Sequence, residues 1–227
     1  MLECKELRKS YKKRQVVDGL SFEVKKGEAF ALLGSNGAGK TTTIKMILGL
    51  VQKESGEINI NEGIHIGYSP ETPYFPPFLT GKETLVYYAK IQKIPKSQVE
   101  TQVSELMEEV GLEDNKTKVK YYSKGMLQRL ALAQSLLGNP ELLILDEPTA
   151  GLDALGRLEI MELIGTLKKQ GKTIIINSHI LNDIERVCDR GIIIKKGKLM
   201  GVWDKEKDYQ GKELEEIFVE MVGGKEA

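Results

Sequence analysis

Neither sign of charge prevails in this chain. Across 227 residues, 33 lysines and arginines stand against 33 aspartates and glutamates. A general nucleic-acid binder carries a basic stripe or excess, so this balance argues against one, while leaving room for a local basic patch. Cysteine is almost missing too. Cys4 and Cys188 are far apart among ordinary strand and helix residues, so neither a disulfide framework nor a zinc site is expected, and a reducing compartment is. No run approaches the roughly 18 apolar residues of a membrane span. The stretch Met1 to Tyr11 is charged throughout, unlike a signal peptide. The expected location is therefore cytoplasmic, with any membrane role requiring a partner. Internal repeats and low-complexity segments are also lacking. What is present, 41% hydrophobic and 29% charged residues, suffices for one sizeable core with a subsidiary lobe.

The most informative segment is Gly34-Ser35-Asn36-Gly37-Ala38-Gly39-Lys40-Thr41-Thr42, directly after the apolar run Ala29 to Leu33. Glycines at 34, 37 and 39 let the backbone curl so that successive N–H groups point inward, and a helix starting near Lys40 adds its positive dipole end. Lys40 then reaches the β- and γ-phosphates of a nucleotide, and Thr41 ligates Mg²⁺. A buried strand before the loop and a helix over Thr42 to Leu50 supply the context this chemistry needs.

The remaining chain reads as strands and turns, then helices, then alternation. Strands are expected at Leu2 to Tyr11, Val16 to Val24 and Ala29 to Leu33. Gly56 to Ile60 and Ile64 to Tyr68, separated by Asn61-Glu62-Gly63, read as a hairpin. Between Thr80 and Leu137 helical spacing takes over: Leu85, Tyr88 and Ala89, then Val103, Leu106, Met107 and Val110. From Leu142 strand and helix alternate: Leu142 to Leu145, a helix over Leu155 to Gln170, Thr173 to Asn177, a short helix, then Ile192 to Lys195. That alternation predicts a largely parallel sheet. The fold expected is thus α/β, a P-loop NTPase core with an antiparallel β subdomain and an inserted helical lobe. The whole chain 1–227 makes one domain, the core being about 1–72 and 140–227 and the lobe about 73–139. The tail after Gly223 is expected to fray.

Leu142-Leu143-Ile144-Leu145-Asp146-Glu147 is a second phosphate-site element. Four apolar residues make a buried strand whose end projects two carboxylates. Asp146 is placed to hold Mg²⁺ through water, and Glu147 to orient and polarise a water for in-line attack on the γ-phosphate. Tyr122-Ser123-Lys124-Gly125-Met126-Leu127-Gln128-Arg129 opens a further helix, with Ser123 as its N-cap.

At this point the chain resembles the ATP-binding-cassette (ABC) family, whose signature is usually Leu-Ser-Gly-Gly-Gln followed by Gln-Arg. Pro148-Thr149-Ala150-Gly151-Leu152-Asp153 is similar to that family's stretch from the acidic strand to the D-loop. His179, after the Thr173 to Asn177 strand, resembles its switch histidine, and Tyr11 stands where an aromatic stacks on adenine. The resemblance spans nearly the whole chain and implies a composite site. Two copies meet head to tail, and each ATP lies between the glycine-rich loop of one and the signature helix of the other. Ser123 and Gly125 then contact the partner's ATP, Asp153 connects the two sites, and His179 touches the γ-phosphate from the same subunit as Glu147.

Three positions depart from the family pattern. Lys124 replaces the first signature glycine, and Met126 the glutamine. Glu71, in Tyr68-Ser69-Pro70-Glu71, replaces a glutamine linking Mg²⁺ and the attacking water to the membrane interface. A carboxylate still accepts from metal-bound water but adds negative charge and cannot donate; the alternative is an exposed loop acid. Such variants resemble those of exporter cassettes. The resemblance implies the ATPase subunit of a membrane transporter, with ATP and Mg²⁺ as cofactors, a second copy as partner and separate transmembrane permease subunits. Tyr74-Phe75-Pro76-Pro77-Phe78 and the helical lobe then form the docking surface. The short helix Glu213 to Val222 resembles the end of export-type cassettes and leaves no room for a regulatory domain. The rival is a cassette acting on nucleic acid or the ribosome. Its usual coiled-coil insertion, zinc modules and basic arms are not visible, and no nucleic acid is expected as a partner.

Overall fold

The computed structural model describes residues 1–208 and 213–223; the tail expected to fray after Gly223 lies outside them. The strands are β1 (Leu2–Tyr11), β2 (Arg14–Val24), β3 (Ala29–Leu33), β4 (Ser55–Ile60), β5 (Ile66–Ser69), β6 (Leu142–Asp146), β7 (Thr173–Ser178), β8 (Arg190–Lys195) and β9 (Lys198–Asp204). The helices are α1 (Lys40–Ile47), α2 (Gly81–Ile91), α3 (Lys96–Glu109), α4 (Lys124–Leu136), α5 (Ala154–Lys169), α6 (Leu181–Val187), α7 (Lys205–Asp208) and α8 (Leu214–Gly223). Two sheets result. One is antiparallel, in the order β2-β1-β4. The other runs β5-β6-β7-β3-β8-β9 and is parallel except for β9. The fold is α/β with a mostly parallel sheet, an antiparallel sheet and helices.

The apolar runs are strands because they are buried on both faces. Alternate residues of β3, β6 and β7 serve two different cores. Ala29, Ala31, Leu33, Leu143, Leu145, Ile174 and Ile176 pack with the helices α2 to α5. Phe30, Leu32, Leu142, Ile144 and Ile175 pack with α1 and the antiparallel sheet. Each fully buried Leu or Ile contributes about 1.5–3 kcal/mol. The two thiols are part of these cores. Burial pushes Cys4 up to about 12 and raises Cys188 further, so both are inert at neutral pH.

The hairpin expected around Asn61-Glu62-Gly63 does not form. β4 pairs with β1, Cys4 opposite Ile58, whereas β5 pairs in parallel with β6, Ile66 opposite Leu142. The turn carries the chain from one sheet to the other. Half-buried β4, alternating exposed and intermediate residues, suits an antiparallel sheet with one wet face. β5 instead lies beneath α4, and a Cβ at Gly67 would fall 1.9 Å from the Ser135 carbonyl oxygen. Strand β9 was also not expected. Its signal is the tight turn Lys196-Gly197, both at positive φ (49° and 81°), a geometry that closes two-residue hairpins. α1 stops at Ile47 rather than Leu50 because Gly49, at φ 69°, supplies a left-handed stop.

The central helices start on well-defined caps. Thr80 and Glu83 form a reciprocal capping box on α2. The Ser123 hydroxyl accepts from Met126 N–H at 3.2 Å at the start of α4. Asp153, expected to connect two sites, accepts from Gly156 N–H at 2.8 Å and caps α5. No helix among the described residues is long and apolar enough to cross a membrane.

Candidate active site

Strands β5, β6, β7 and β3 are neighbours and parallel, so their carboxyl ends lie along one edge of the sheet. The segments following them carry Glu71, Asp146 with Glu147, His179, and the glycine-rich loop respectively. Such an edge is where open parallel sheets bind ligands. Here it forms a cavity of about 320 Å³, lined by Asn36 to Thr42 with Val16, Glu71, Glu147, Asn177 and His179.

Two loop glycines are dictated by the backbone. Gly34 and Gly39 have φ of 153° and 108°, and a Cβ there would meet the carbonyls of Ile194 (2.2 Å) and Val16 (2.5 Å). Lys40 is buried, and its Nζ donates to the carbonyl oxygens of Gly34 at 2.6 Å and Ser35 at 3.3 Å. Burial lowers its pKa, opposed by the carboxylates of Glu147, Asp146 and Glu71. Asp146 is raised, first by burial and further by Glu71 and Glu147, against hydrogen bonds from Asn177 and Thr41 that stabilise its ionised form. Three acids therefore crowd one ammonium, a balance that favours an added divalent cation once phosphates enter.

The oxygens present fit Mg²⁺. Thr41 Oγ1 lies 3.3 Å from Asp146 Oδ1, a hard hydroxyl and carboxylate pair with no sulfur nearby to favour a softer metal. No group of three or more His, Cys, Asp or Glu that could hold a metal occurs among the described residues. An ion here would complete its shell with phosphate oxygens and water, as Mg²⁺ does in nucleotide sites.

Glu147 sits just past β6 with φ 50°, a left-handed conformation costing on the order of 1 kcal/mol for a residue with a side chain. It turns the carboxylate toward His179, whose Nδ1 lies 3.0 and 2.9 Å from the two carboxylate oxygens. A carboxylate only accepts, so Nδ1 is the donor in this pair.

Of the residues expected in the site, Asn36 to Thr42, Glu71, Glu147 and His179 line one cavity, with Asp146 bonded to Thr41 behind it. Gly34, Ser35, Tyr11, Ser123, Gly125 and Asp153 do not line it, the Gly34 and Ser35 carbonyls accepting instead from the Lys40 ammonium. Tyr11 is half exposed at the end of β1, with Lys9 Nζ 5.4 Å from its ring centre. Gly125 lies by the D-loop, a Cβ there falling 3.8 Å from Leu152, and the Lys124 ammonium covers Gly151. Sequence reasoning missed Asn177, whose Nδ2 donates to Asp146 Oδ1; the signal was a polar residue ending an isoleucine run. It also missed Gln128, which donates from Nε2 to the Glu71 carbonyl at 3.2 Å.

Comparison with known proteins agrees with this geometry. Residues 17–150 match the ABC transporter family. An uncharacterised ABC transporter ATP-binding protein of Synechocystis is 43% identical over 192 residues, covering 80% of this chain and 54% of that protein. The chain thus spans little more than half of that relative's length. The lantibiotic transport ATP-binding protein SrtF of Streptococcus pyogenes is 40% identical over 96% of each chain. A solved structure described as the ATP-binding subunit of an ABC transporter superposes with a TM-score of 0.85 at 33% identity, covering 98% of this chain and 99% of the other. With its glycine loop, paired acids and histidine gathered at one sheet edge in the order this family uses, the chain belongs to the ABC transporter family.

Proposed function

We propose that this chain binds and hydrolyses ATP as the nucleotide-binding subunit of a membrane transporter, an exporter, working as a head-to-tail pair. One observation carries the reading: the contact of Glu147 with His179 in the cavity that the Lys40 loop also lines. Lys40 and the loop N–H groups hold the phosphates. Thr41 and Asp146 would hold Mg²⁺, with Glu71 on the same cavity wall as a further acceptor. When bound, the ion would offset the negative charge of the phosphates. Glu147 polarises the attacking water, and His179 contacts the γ-phosphate. Ser123 and Gly125 lie outside their own cavity, which is consistent with contacts to the ATP of a second copy, and a two-fold pair completes two equal sites. Asp153 lies near that interface, and Tyr11 flanks the base.

The chain acts as one ATPase domain, with a core of about 1–72 and 140–227 and a helical lobe of about 73–139. A second cleft, of about 880 Å³, lies between β5 and the lobe, with Tyr74, Tyr88 and Gln134 on its walls. Tyr74 and Phe78 are largely exposed beside it. This surface receives a transmembrane permease subunit, which holds the chain on the inner face of the cell membrane and selects the cargo; exposed aromatic clusters mark such interfaces. A tagged full chain is expected to co-purify from solubilised membranes with a polytopic protein, and that complex to show Mg²⁺-dependent ATPase activity. Recovery with ribosomes or nucleic acid instead would overturn the proposal.

Glu71 gives a finer test. Glu71→Gln removes a negative charge but keeps an acceptor, so nucleotide affinity should stay within about threefold while the hydrolysis rate of the complex changes severalfold. A turnover number equal to wild type would make Glu71 a spectator.

A further inference from the structure

The turn carrying Glu147 is strained, and its anchor lies outside the phosphate cavity. Backbone bonds hold it only in part: Glu147 N–H donates to the Asn177 carbonyl at 2.8 Å, and Ala150 N–H donates back to the Glu147 carbonyl at 3.0 Å. Thr149, two residues on, is 1% exposed. Its hydroxyl donates to Asp183 Oδ2 at 2.7 Å, and Arg157 Nη2 donates to Asp183 Oδ1 at 2.9 Å. Asp183 is itself 5% exposed, in the first turn of α6, four residues after His179. One buried carboxylate therefore ties three segments: the Glu147 turn through Thr149, α5 through Arg157, and the His179 segment through its own helix.

We infer that Asp183 is a positioning residue for the Glu147–His179 pair, holding through Thr149 the left-handed turn that presents Glu147. The inference rests on the ATPase reading for its kinetic consequence but not for its structural one. A non-glycine residue at positive φ persists where its surroundings over-determine it, and a buried, charge-assisted bond is strong enough to do so. Neither Thr149 nor Asp183 lines the phosphate cavity, so loss of the link should leave ATP binding intact while misplacing the base.

The test uses the full chain and an isosteric pair. Thr149→Val keeps the shape and loses the hydroxyl, whereas Thr149→Ser keeps the hydroxyl. Amide hydrogen exchange on the nucleotide-free protein should be faster over residues 147–153 in Thr149→Val and unchanged in Thr149→Ser. In ATPase assays Thr149→Val should lower kcat about tenfold with KM within about twofold, and Thr149→Ser should restore it. Thr149→Val added to Asp183→Ala should cost little beyond Asp183→Ala alone, because Asp183→Ala already removes the acceptor of the Thr149 hydroxyl. Equal exchange in Thr149→Val and wild type, or equal behaviour of the Val and Ser variants, would overturn the inference, as would independent effects in the double variant. A wild-type chain that binds ATP without turnover would overturn the ATPase reading alone, and the exchange measurement would still decide the clamp.

Discussion

Replacing Lys40 by alanine is expected to abolish high-affinity Mg-ATP binding. Lys40 is the only lysine or arginine among the described residues lining the phosphate cavity. Its neighbours Glu71, Asp146 and Glu147 are all acidic, and all three act electrostatically on its ammonium. Taking away the ammonium removes two or more charge-assisted hydrogen bonds to phosphate oxygens, each worth about 1.5–3 kcal/mol. It also leaves those acids to repel the incoming phosphates. Together these terms predict a loss in affinity of at least about 10²-fold, each 1.4 kcal/mol being a factor of ten. Titration with a fluorescent nucleotide or by calorimetry reads the effect directly. The Lys40 ammonium also bonds the carbonyls of Gly34 and Ser35, so the melting temperature should be compared in parallel. A folded Lys40→Ala protein with wild-type ATP affinity would remove the glycine-rich loop from its phosphate-binding role.

The Glu147→Gln variant should separate binding from hydrolysis. Lys40, Thr41 and Asp146 are untouched by the change, so Mg-ATP affinity should persist. The amide cannot serve as a base, and its contact with the His179 Nδ1 is altered too. A lost general base lowers the rate by about 10² or more. ATP should then remain between two copies, and the variant should elute as an ATP-dependent dimer on size-exclusion chromatography. Ser123→Arg, which crowds the start of α4, should block that dimer without changing nucleotide affinity. A folded, ATP-bound Glu147→Gln protein that stays monomeric would mean that pairing needs the transmembrane subunits. Hydrolysis at the wild-type rate would remove Glu147 from its proposed role.

Local elements were the most legible in the sequence. The phosphate loop is one contiguous stretch whose glycines are required by backbone angles at 34 and 39. Leu142 to Leu145 in β6 and Ile174 to Ile176 in β7 are unbroken apolar runs, so the burial of both strands on two faces could be read from residue type. Helix α4 begins where Ser123 caps it, and a cap is a bond over three residues. The fate of the segments flanking Asn61-Glu62-Gly63 was not legible. Those residues are good turn formers, and nothing local says whether the strands on either side pair with each other or with β1 and β6.

The sequence by itself marked the candidates for holding phosphates, polarising water and contacting a γ-phosphate, because each lies in a short segment whose residue types and turn geometry are local. Only the tertiary structure decided that β4 and β5 join different sheets, that Asn177 bonds Asp146 across 31 residues, and that Asp183 joins Thr149 and Arg157 across 34 and 26. Such partners are chosen by strand order and packing of the whole chain. A buried carboxylate takes whatever donors the fold brings within reach, and its neighbours along the chain do not specify them.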